Sequence, residues 1–457
     1  MPFAPQLAAI RFGCGLSPVL TPPSDAVGLL DGLRAPDSVA ERFPIAGFAD
    51  YDRQLAEVAR IRLRARKTGA RDTDRPRIVE IGKGLAAEHR GWFVNTLLRW
   101  SWTEAPLRER LALFWADHFT ARGKVMLMAS AGFPYVEDAI RPNLPGRFAD
   151  LLIAAVTHPL MLHFLDQSGS IGPNSAAAGR VKRMRGLNEN LAREVLELHT
   201  LGVGGPYGQA DVTQLAELFT GLTYRYGAGF RFRKNLAEPG AETVMGARYG
   251  GTSALAPIHA ALRDLAAHPA TAQHIARKLA VHFVADTPDP ALVAHVQARY
   301  LATDGDLMAV YGALIEHPAA WGSEAGNVKP PLDFIASACR ALAVRPEALQ
   351  GLSRKQVQHH LLRPLALMGQ PLMRPNGPDG WPEDDAAWVT PQAVSARLRW
   401  ALSAPGVLCT DLPDPRDFVD RALGERATQP VRFAAGAAES RSDAIGLVLA
   451  APGFQRR

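Results

Sequence analysis

The stretch NENLAREVLELHTLG, residues 188–202, combines the apolar spacing of a strong helix with a high density of polar side chains. An advance of about 100° per residue places five polar side chains on one helix face: Glu189, Asn190, Arg193, Glu194 and Glu197. The opposite side is apolar and also holds His199. The stretch therefore predicts an amphipathic helix that buries His199 and presents a carboxylate-rich face.

The same helical spacing of apolar residues continues along the rest of the chain. It predicts helices near residues 80–100, 104–121, 147–165, 188–200, 209–223, 258–283, 289–301, 306–316, 330–343 and 388–402. Alternating strand-like patterns are nearly absent, but two β-prone pieces flank Pro239-Gly240 and predict one small β-hairpin near 229–250. The sequence thus predicts a mainly α fold, a large multi-helix globular domain.

A long loop rich in proline and glycine, QPLMRPNGPDGWPEDD at 370–385, interrupts the helical pattern. Loops of this length are usually functional or mark a boundary. We therefore assign residues 1–369 to the main helical domain and residues 370–457 to a C-terminal helical part that packs on it.

Composition narrows the class of protein. The chain has 457 residues, of which 47% are hydrophobic and 21% charged, values typical of a globular protein. No apolar run approaches the roughly 18 residues of a membrane span, and the N-terminus lacks a signal-peptide pattern. Cys14, Cys339 and Cys409 are too far apart for a CxxC metal site, and their odd number argues against a disulfide framework. We therefore expect a cytoplasmic protein without a membrane span.

Much of the positive charge lies in one arginine-rich stretch, RIRLRARKTGARDTDRPR at 60–77, in a chain of net charge +6. Such a run is typical of a solvated loop, and the other reading is a surface for phosphate or an acidic partner. No aromatic residues interleave it, so a nucleic-acid stacking surface is not indicated.

Three predicted helices run directly into a His-Pro pair, at His158, His268 and His317. Histidine in a last turn complements the negative end of the helix dipole, and proline is suited to opening the next helix. We interpret these three histidines as connectors.

Glu194 and Glu197 are the first candidates for chemistry. Their i, i+3 spacing lets two carboxylates approach one divalent cation or share acid–base work. The histidine that follows a glutamate by three residues in di-metal helical bundles is missing here. The alternative is a solvated or salt-bridged helix face.

Asp117 and His118 are the second candidates. His118 shares a helix face with Leu107, Leu111 and Phe114, so it is predicted to point inward. A buried histidine needs a partner, which is either a carboxylate of the 188–202 helix or a backbone carbonyl. The first choice predicts a polar site between helices 104–121 and 188–202, with His118 as a further metal ligand or proton carrier.

Several stretches, in this order, resemble a bacterial family called domain of unknown function 1800: FWADHF, DLLIAAVTHPLMLHFLDQSGSIGPNS, NENLAREVLELHTLGVGGPYGQADVTQLAELFTGLTY, ARKLAVHFVAD, KPPLDFIASACRAL, GQPLMRPNGPDGW and RLRWAL. The resemblance covers nearly the whole chain. It implies a large helical domain without an established reaction, and a sulfatase-like protein encoded nearby as a partner. It also implies that a polar motif recurs at nine positions: Asp117, His118, Asn188, Glu189, Asn190, Arg193, Glu194, Glu197 and His199.

The sequence departs from that family at two positions. After FRFR, the family typically shows a histidine and later a lysine, where this chain has Ala237 and Glu242. Losing a ligand-capable histidine together with a cation points to a lost or altered activity. Many members of the family are also exported.

Two function classes follow. One is an enzyme, with a divalent metal or with acid–base chemistry, that uses Glu194, Glu197 and His118. The alternative is a non-catalytic helical binding or assembly protein, in which loops 167–179 and 370–385 grip a protein partner through residues such as Met373 and Trp381.

Overall fold

The computed structural model describes residues 3–68, 75–178, 186–251, 254–322 and 326–457, most of which lie in helices. The predicted mainly α class is confirmed. The first half of the chain forms α1 (Pro5–Arg11), α2 (Ala26–Arg34), α3 (Ser38–Arg42), α4 (Phe48–Thr68), α5 (Arg75–Trp102), α6 (Pro106–His118), α7 (Gly132–Tyr135), α8 (Phe148–Thr157), α9 (Pro159–Phe164), α10 (Asn190–Glu194) and α11 (Gln209–Leu218).

The second half forms α12 (Leu255–Ala267), α13 (Pro269–Phe283), α14 (Pro290–Ala302), α15 (Leu307–Glu316), α16 (Pro331–Ala341), α17 (Pro346–Gln350), α18 (Arg354–Val357), α19 (Arg363–Leu367), α20 (Pro391–Ser403), α21 (Pro405–Leu408), α22 (Pro415–Leu423), α23 (Gln429–Ala437), α24 (Arg441–Ala450) and α25 (Pro452–Gln455). Within the described ranges, three π-helical turns occur at Val136–Ile140, Val195–His199 and Gln358–Leu362. Short 3-10 turns occur at Met126–Met128, Arg141–Asn143, Gln167–Gly169, Pro318–Trp321, Asp385–Ala387 and Gly424–Arg426.

The His-Pro pairs divide longer predicted helices. The predicted helix 147–165 becomes α8 and α9, and the predicted helix 258–283 becomes α12 and α13. In each pair the histidine is the N-cap of the following helix, and its Nδ1 accepts a backbone N–H two residues later, at 3.1 Å for His158, 3.1 Å for His268 and 3.2 Å for His317. The connector role is confirmed, with the ring capping the next helix.

The β-structure near 229–250 is present, but within the described residues it consists of two hairpins. Strand β1 (Leu222–Arg225) pairs with β2 (Gly229–Phe232), and β3 (Ala241–Val244) pairs with β4 (Ala247–Gly250), both antiparallel. Pro239-Gly240 connects the hairpins and is not the turn of one. The second turn places Met245 and Gly246 at φ 51° and 78°, the left-handed pair that matches the twist of hairpin strands.

Helix α6 contributes many of its residues to the hydrophobic core. Most of its residues are buried, including the charged Arg108, Glu109 and Arg110. Arg110 donates to Asp333 of α16 at 2.5 Å, and both side chains have 0% exposure. Charges taken out of water need such partners, since an unpaired buried charge is strongly unfavourable.

The C-terminal part contacts the rest of the chain at several places. Helix α20 packs against α19 and α24, and α22 packs against α16. The backbone N–H of Arg457 donates to the carbonyl of Asn327 at 2.9 Å, and its side chain lies buried 3.4 Å from Asp333. A boundary at residue 370 stays a prediction.

The arginine-rich stretch is more helical than predicted. Helix α4 continues to Thr68 and α5 begins at Arg75, while residues 69–74 of the stretch 60–77 lie outside the described residues. Across the described parts of the chain, no helix is both long and apolar enough to cross a membrane.

Candidate functional site

The end of the 188–202 helix is held by two histidines. Helix α10 continues as the π-helical turn Val195–His199, and a helix end leaves carbonyls without a partner within the helix. His118 Nε2 of α6 lies 3.2 Å from the carbonyl of His199, and His274 Nε2 of α13 lies 3.0 Å from the carbonyl of Leu198. Because a carbonyl only accepts, each ring must carry a proton on Nε2.

His118 and His199 are interior side chains, with 2% and 0% exposure. The partner of His118 is thus a backbone carbonyl, the second of the two predicted choices. Burial lowers the pKa of His118 well below 6.5 and that of His199 to about 3, so both rings are neutral. His118 Nδ1 and both ring nitrogens of His199 have no hydrogen-bond partner within the part of the chain that the structure describes.

The N-terminal part of the motif joins α10 to its surroundings. Asn188 Oδ1 accepts the N–H of Asn190 at 3.0 Å. Glu189 accepts Thr213 Oγ1 at 2.8 Å and Gln209 Nε2 at 3.0 Å, both from α11. The hydrogen bond from Thr213, followed by that from Gln209, lowers the pKa of Glu189. These contacts give Asn188, Glu189 and Asn190 a structural role at the start of the helix.

Glu194 differs from the other glutamates on this helix. Arg193 bridges Glu189 and Glu197, at 3.3 Å in each case, and does not bridge Glu194. Burial, then the nearby Glu197, raises the pKa of Glu194 to about 7; Arg193 opposes this shift and Asp379 adds to it. Glu194 is therefore a half-buried carboxyl group that titrates close to neutral pH.

Asp117 is a second carboxyl group of this kind. Its Oδ1 accepts the backbone N–H of Trp381 at 2.9 Å. Burial, then the negative charge of Glu383, raises the pKa of Asp117 to about 7, and Lys278 opposes the shift. Gly380 lies so close that a Cβ would stand 2.7 Å from Asp117 Oδ1, and its φ of +82° is left-handed, so this position requires glycine.

One face of α13 completes the arrangement. His274, Lys278 and His282 follow one another at i, i+4 and i+8, so they share a face. His274 caps the π-helical turn, the charge of Lys278 acts on Asp117, and His282 Nδ1 lies 2.8 Å from Glu383 Oε1. The sequence prediction missed these residues, although their spacing within QHIARKLAVHF was a usable signal.

We refer to Asp117, Glu194, Lys278, Asp379 and Glu383 as the polar cluster. The exposed Asp379 makes a small contribution to the raised pKa of both Asp117 and Glu194. The predicted motif therefore divides between the polar cluster, the helix cap and the contact with α11.

The described residues contain no group of three or more His, Cys, Asp or Glu side chains that could hold a metal ion. Glu194, Glu197 and His118 are thus not arranged as a metal site in the described chain. A divalent metal bound through them stays a prediction.

The two departures from the family pattern lie together elsewhere. Ala237 and Glu242 line one small cavity, which Glu238 also lines. Burial, then the negative charge of Glu217, raises the pKa of Glu242 to about 7. The carboxyl groups of Glu238 and Glu242 thus line the place where the family resemblance implies a lysine.

Met373 and Trp381 are half-buried and line a cavity beside Asp117. They are not the exposed pair that the partner-binding hypothesis places on loop 370–385.

Comparison with known proteins gives one match. The model of the family described as "Protein of unknown function (DUF1800)" matches residues 26–456. No curated protein and no solved structure matches the chain. Because the family match spans nearly the whole chain and includes the polar cluster, the protein belongs to the DUF1800 family of proteins of unknown function.

Proposed function

We propose that the protein is an enzyme that catalyses proton transfer through two carboxyl groups, Asp117 and Glu194. The observation that carries this proposal is that the elements holding Asp117 and Glu194 meet: His118 of α6 and His274 of α13 bind the turn that follows α10, and Trp381 of loop 370–385 binds Asp117. Asp379 of the same loop acts on both carboxyl groups. A group that titrates near the working pH is the most effective general acid or base. Perturbed carboxyl groups of this kind cluster at catalytic sites.

The roles follow from the charges around each group. Asp117 lies at a cavity wall and is the proton donor, because burial, and after it the charge of Glu383, keeps it protonated up to about pH 7. Glu194 is half-buried and therefore open to solvent on one side. It is the base that takes up a proton. Lys278 supplies a positive charge beside Asp117, suited to stabilising negative charge that develops on a substrate.

Direct titration tests the proposal without a known substrate. The full chain is labelled with ¹³C at the Asp and Glu carboxyl carbons, and chemical shifts are followed with pH. Besides the resonance of Glu242, whose pKa is also raised to about 7, we expect two resonances that titrate near pH 7, one lost in Asp117→Asn and the other in Glu194→Gln. The exposed Asp150 and Glu439 provide matched controls, Asp150→Asn and Glu439→Gln, which should leave both resonances in place.

Activity assays then address the reaction. Chromogenic carboxylic esters, phosphate esters and glycosides cover hydrolyses that use general acids or bases. Any turnover should fall in Asp117→Asn and in Glu194→Gln by about a hundredfold or more and persist in both controls. Ordinary titration of both carboxyl groups, or turnover that survives both substitutions, would refute the proposal.

The partner, compartment and alternative function are proposals of lower rank. A sulfatase-like partner rests on the family resemblance and would be tested by co-purification of the two proteins. Nucleic acid is not expected as a partner, and salt-dependent binding to a duplex would contradict that. A cytoplasmic location and a binding or assembly role both stay predictions, testable by fractionation and by partner capture.

A further inference from the structure

A cavity of about 130 Å³ opens beside Asp117. Its walls come from α5, α6, α7, the π-helical turn Val136–Ile140, α16, α19 and loop 370–385. Most of its lining is apolar, including Trp100, Leu113, Phe133, Leu332, Leu365 and Leu372. An apolar cavity of about 150 Å³ stays dry and accepts benzene. The space therefore matches one six-membered ring or a branched alkyl group of similar size.

Two ion pairs contribute the charged part of the wall. Arg99 binds Glu137 through two hydrogen bonds, at 2.7 and 3.1 Å. Arg141 binds Glu109 in the same forked manner. Because each guanidinium is engaged by a carboxylate, these charges are balanced within the protein and do not call for a charged ligand.

The hydroxyl groups of the wall are also occupied. Thr96 Oγ1 donates to the carbonyl of Trp92 at 2.9 Å, and Thr120 Oγ1 donates to the carbonyl of Asp117 at 2.7 Å. The carboxyl group of Asp117 has no guanidinium partner in the described chain, and one backbone N–H, from Trp381, is bound to it. Asp117 therefore has hydrogen-bonding capacity to offer a ligand, and so has Gln370, whose Oε1 accepts the N–H of Leu332 at 2.7 Å.

Loop 370–385 supplies an adaptable side of the cavity. Met373 and Trp381 reach the cavity from this loop. A thioether fills irregular space and accommodates ligands of different shape. The loop thus combines a deformable contact with the backbone N–H that orients Asp117.

We propose that this cavity is a substrate-specificity site, which takes an uncharged single-ring or branched-alkyl group and places its hydrogen-bonding substituent against Asp117. This inference rests on the proposed function, because it makes Asp117 the proton-transfer group that the bound substrate meets. Apolar pockets with a few convergent polar groups are the usual form of a small-molecule site. Charged rings would be excluded, since the described residues that line the apolar part include no unpaired counter-charge.

The test uses toluene and phenol, which have the same shape and differ in one hydrogen-bonding group. Binding to the full chain is followed by NMR of ¹³C-labelled methionine methyl groups. We expect saturable shifts, and intermolecular NOEs from both probes to the Met373 methyl. The methyl group of Met126, which is 91% exposed, should show neither. Phenol should bind more tightly than toluene.

Cavity-filling variants make the test specific. Ala112 and Ala116 line the cavity on α6, and Ala112→Leu or Ala116→Leu should weaken toluene binding by about tenfold or more, because the added side chain occupies the space. Ala86→Leu, at an exposed position of α5, is the matched control and should bind normally.

The wild-type NOE pattern decides the question even if a filled variant fails to fold. Saturable binding without an NOE to Met373, or no saturable binding of either probe, would overturn the cavity proposal whatever the carboxyl groups do. Saturable binding with ordinary titration of Asp117 and Glu194 would leave the cavity in place and refute the catalytic proposal. The two proposals therefore fail separately.

Discussion

Replacing Asp117 by asparagine should make the protein more stable at alkaline pH. The amide of the variant keeps an oxygen that can accept the N–H of Trp381, now 2.9 Å from Asp117 Oδ1, and carries no charge. Burial and Glu383 raise the pKa of Asp117 from 3.8 to about 7. At about 1.4 kcal/mol per pH unit, that difference corresponds to roughly 4 kcal/mol. Because Asp117 is partly exposed and solvent screens its charge, we expect about half, roughly 2 kcal/mol.

The sign follows from proton binding. Between pH 3.8 and about 7 the unfolded chain has lost the proton of Asp117, whereas the folded chain still holds it. The folded state binds more protons, so the wild-type free energy of unfolding falls as pH rises through this range. In Asp117→Asn this fall in stability is absent, because the amide does not ionise. The stability of the variant relative to the wild type should therefore rise over the same pH range and level off above about pH 7.

Urea unfolding followed by tryptophan fluorescence measures this at about pH 5 and about pH 8. The quantity to compare is the stability difference between variant and wild type at each pH, because any pH-independent cost of the amide cancels. The exposed Asp150→Asn should show no such pH dependence. If the Asp117→Asn difference is the same at both pH values, the assignment of a raised pKa to Asp117 is wrong.

Three further substitutions test other parts of the structure. Arg110→Met removes the 2.5 Å partner of buried Asp333 and leaves Arg457 at 3.4 Å as its remaining ion-pair partner, so it should lower the free energy of unfolding by about 3 kcal/mol; a loss below about 1 kcal/mol in urea unfolding would contradict the pairing. His199→Leu removes two ring nitrogens without partners in the described chain, so the urea midpoint should stay level or rise, and a large fall would show that the ring binds something. Glu242→Gln removes the repulsion by Glu217 that contributes to its raised pKa. After allowance for solvent screening, Glu242→Gln should be more stable than the wild type by about 1 kcal/mol at about pH 8 and equally stable near pH 5. Thermal melts at both pH values measure this, and a gain at pH 5 that is as large as at pH 8 would contradict the raised pKa.

Some site residues can be identified from the local sequence pattern, and others only from the side chains that surround them in the folded structure. The apolar arc of 188–202 places His199 in the interior, and the structure buries it at 0% exposure. The same periodicity places Glu194 and Glu197 on one polar face and does not distinguish them. They differ because Arg193 bridges Glu197 at 3.3 Å, whereas Glu194 has no such bridge and its pKa is raised by burial, by Glu197 and by Asp379, which is distant in sequence.

The β-hairpins show a related limit. Pro239-Gly240 is a strong turn signal, yet the chain turns at Met245-Gly246. Strand pairing depends on the register and on the surface of α11, against which β3 packs. A single turn dipeptide predicts neither of these.

The sequence by itself determined the helical class, the buried side of 188–202 and the His-Pro connectors, because apolar periodicity and capping act over a few residues. The tertiary structure decided the chemistry. Burial raises the pKa values of Asp117 and Glu194 to about 7, and loop 370–385 adds to this by bringing Glu383 to Asp117 and Asp379 to both groups. Burial and charge–charge interactions depend on distances between side chains far apart in sequence, so folding had to assemble this site before it could be recognised.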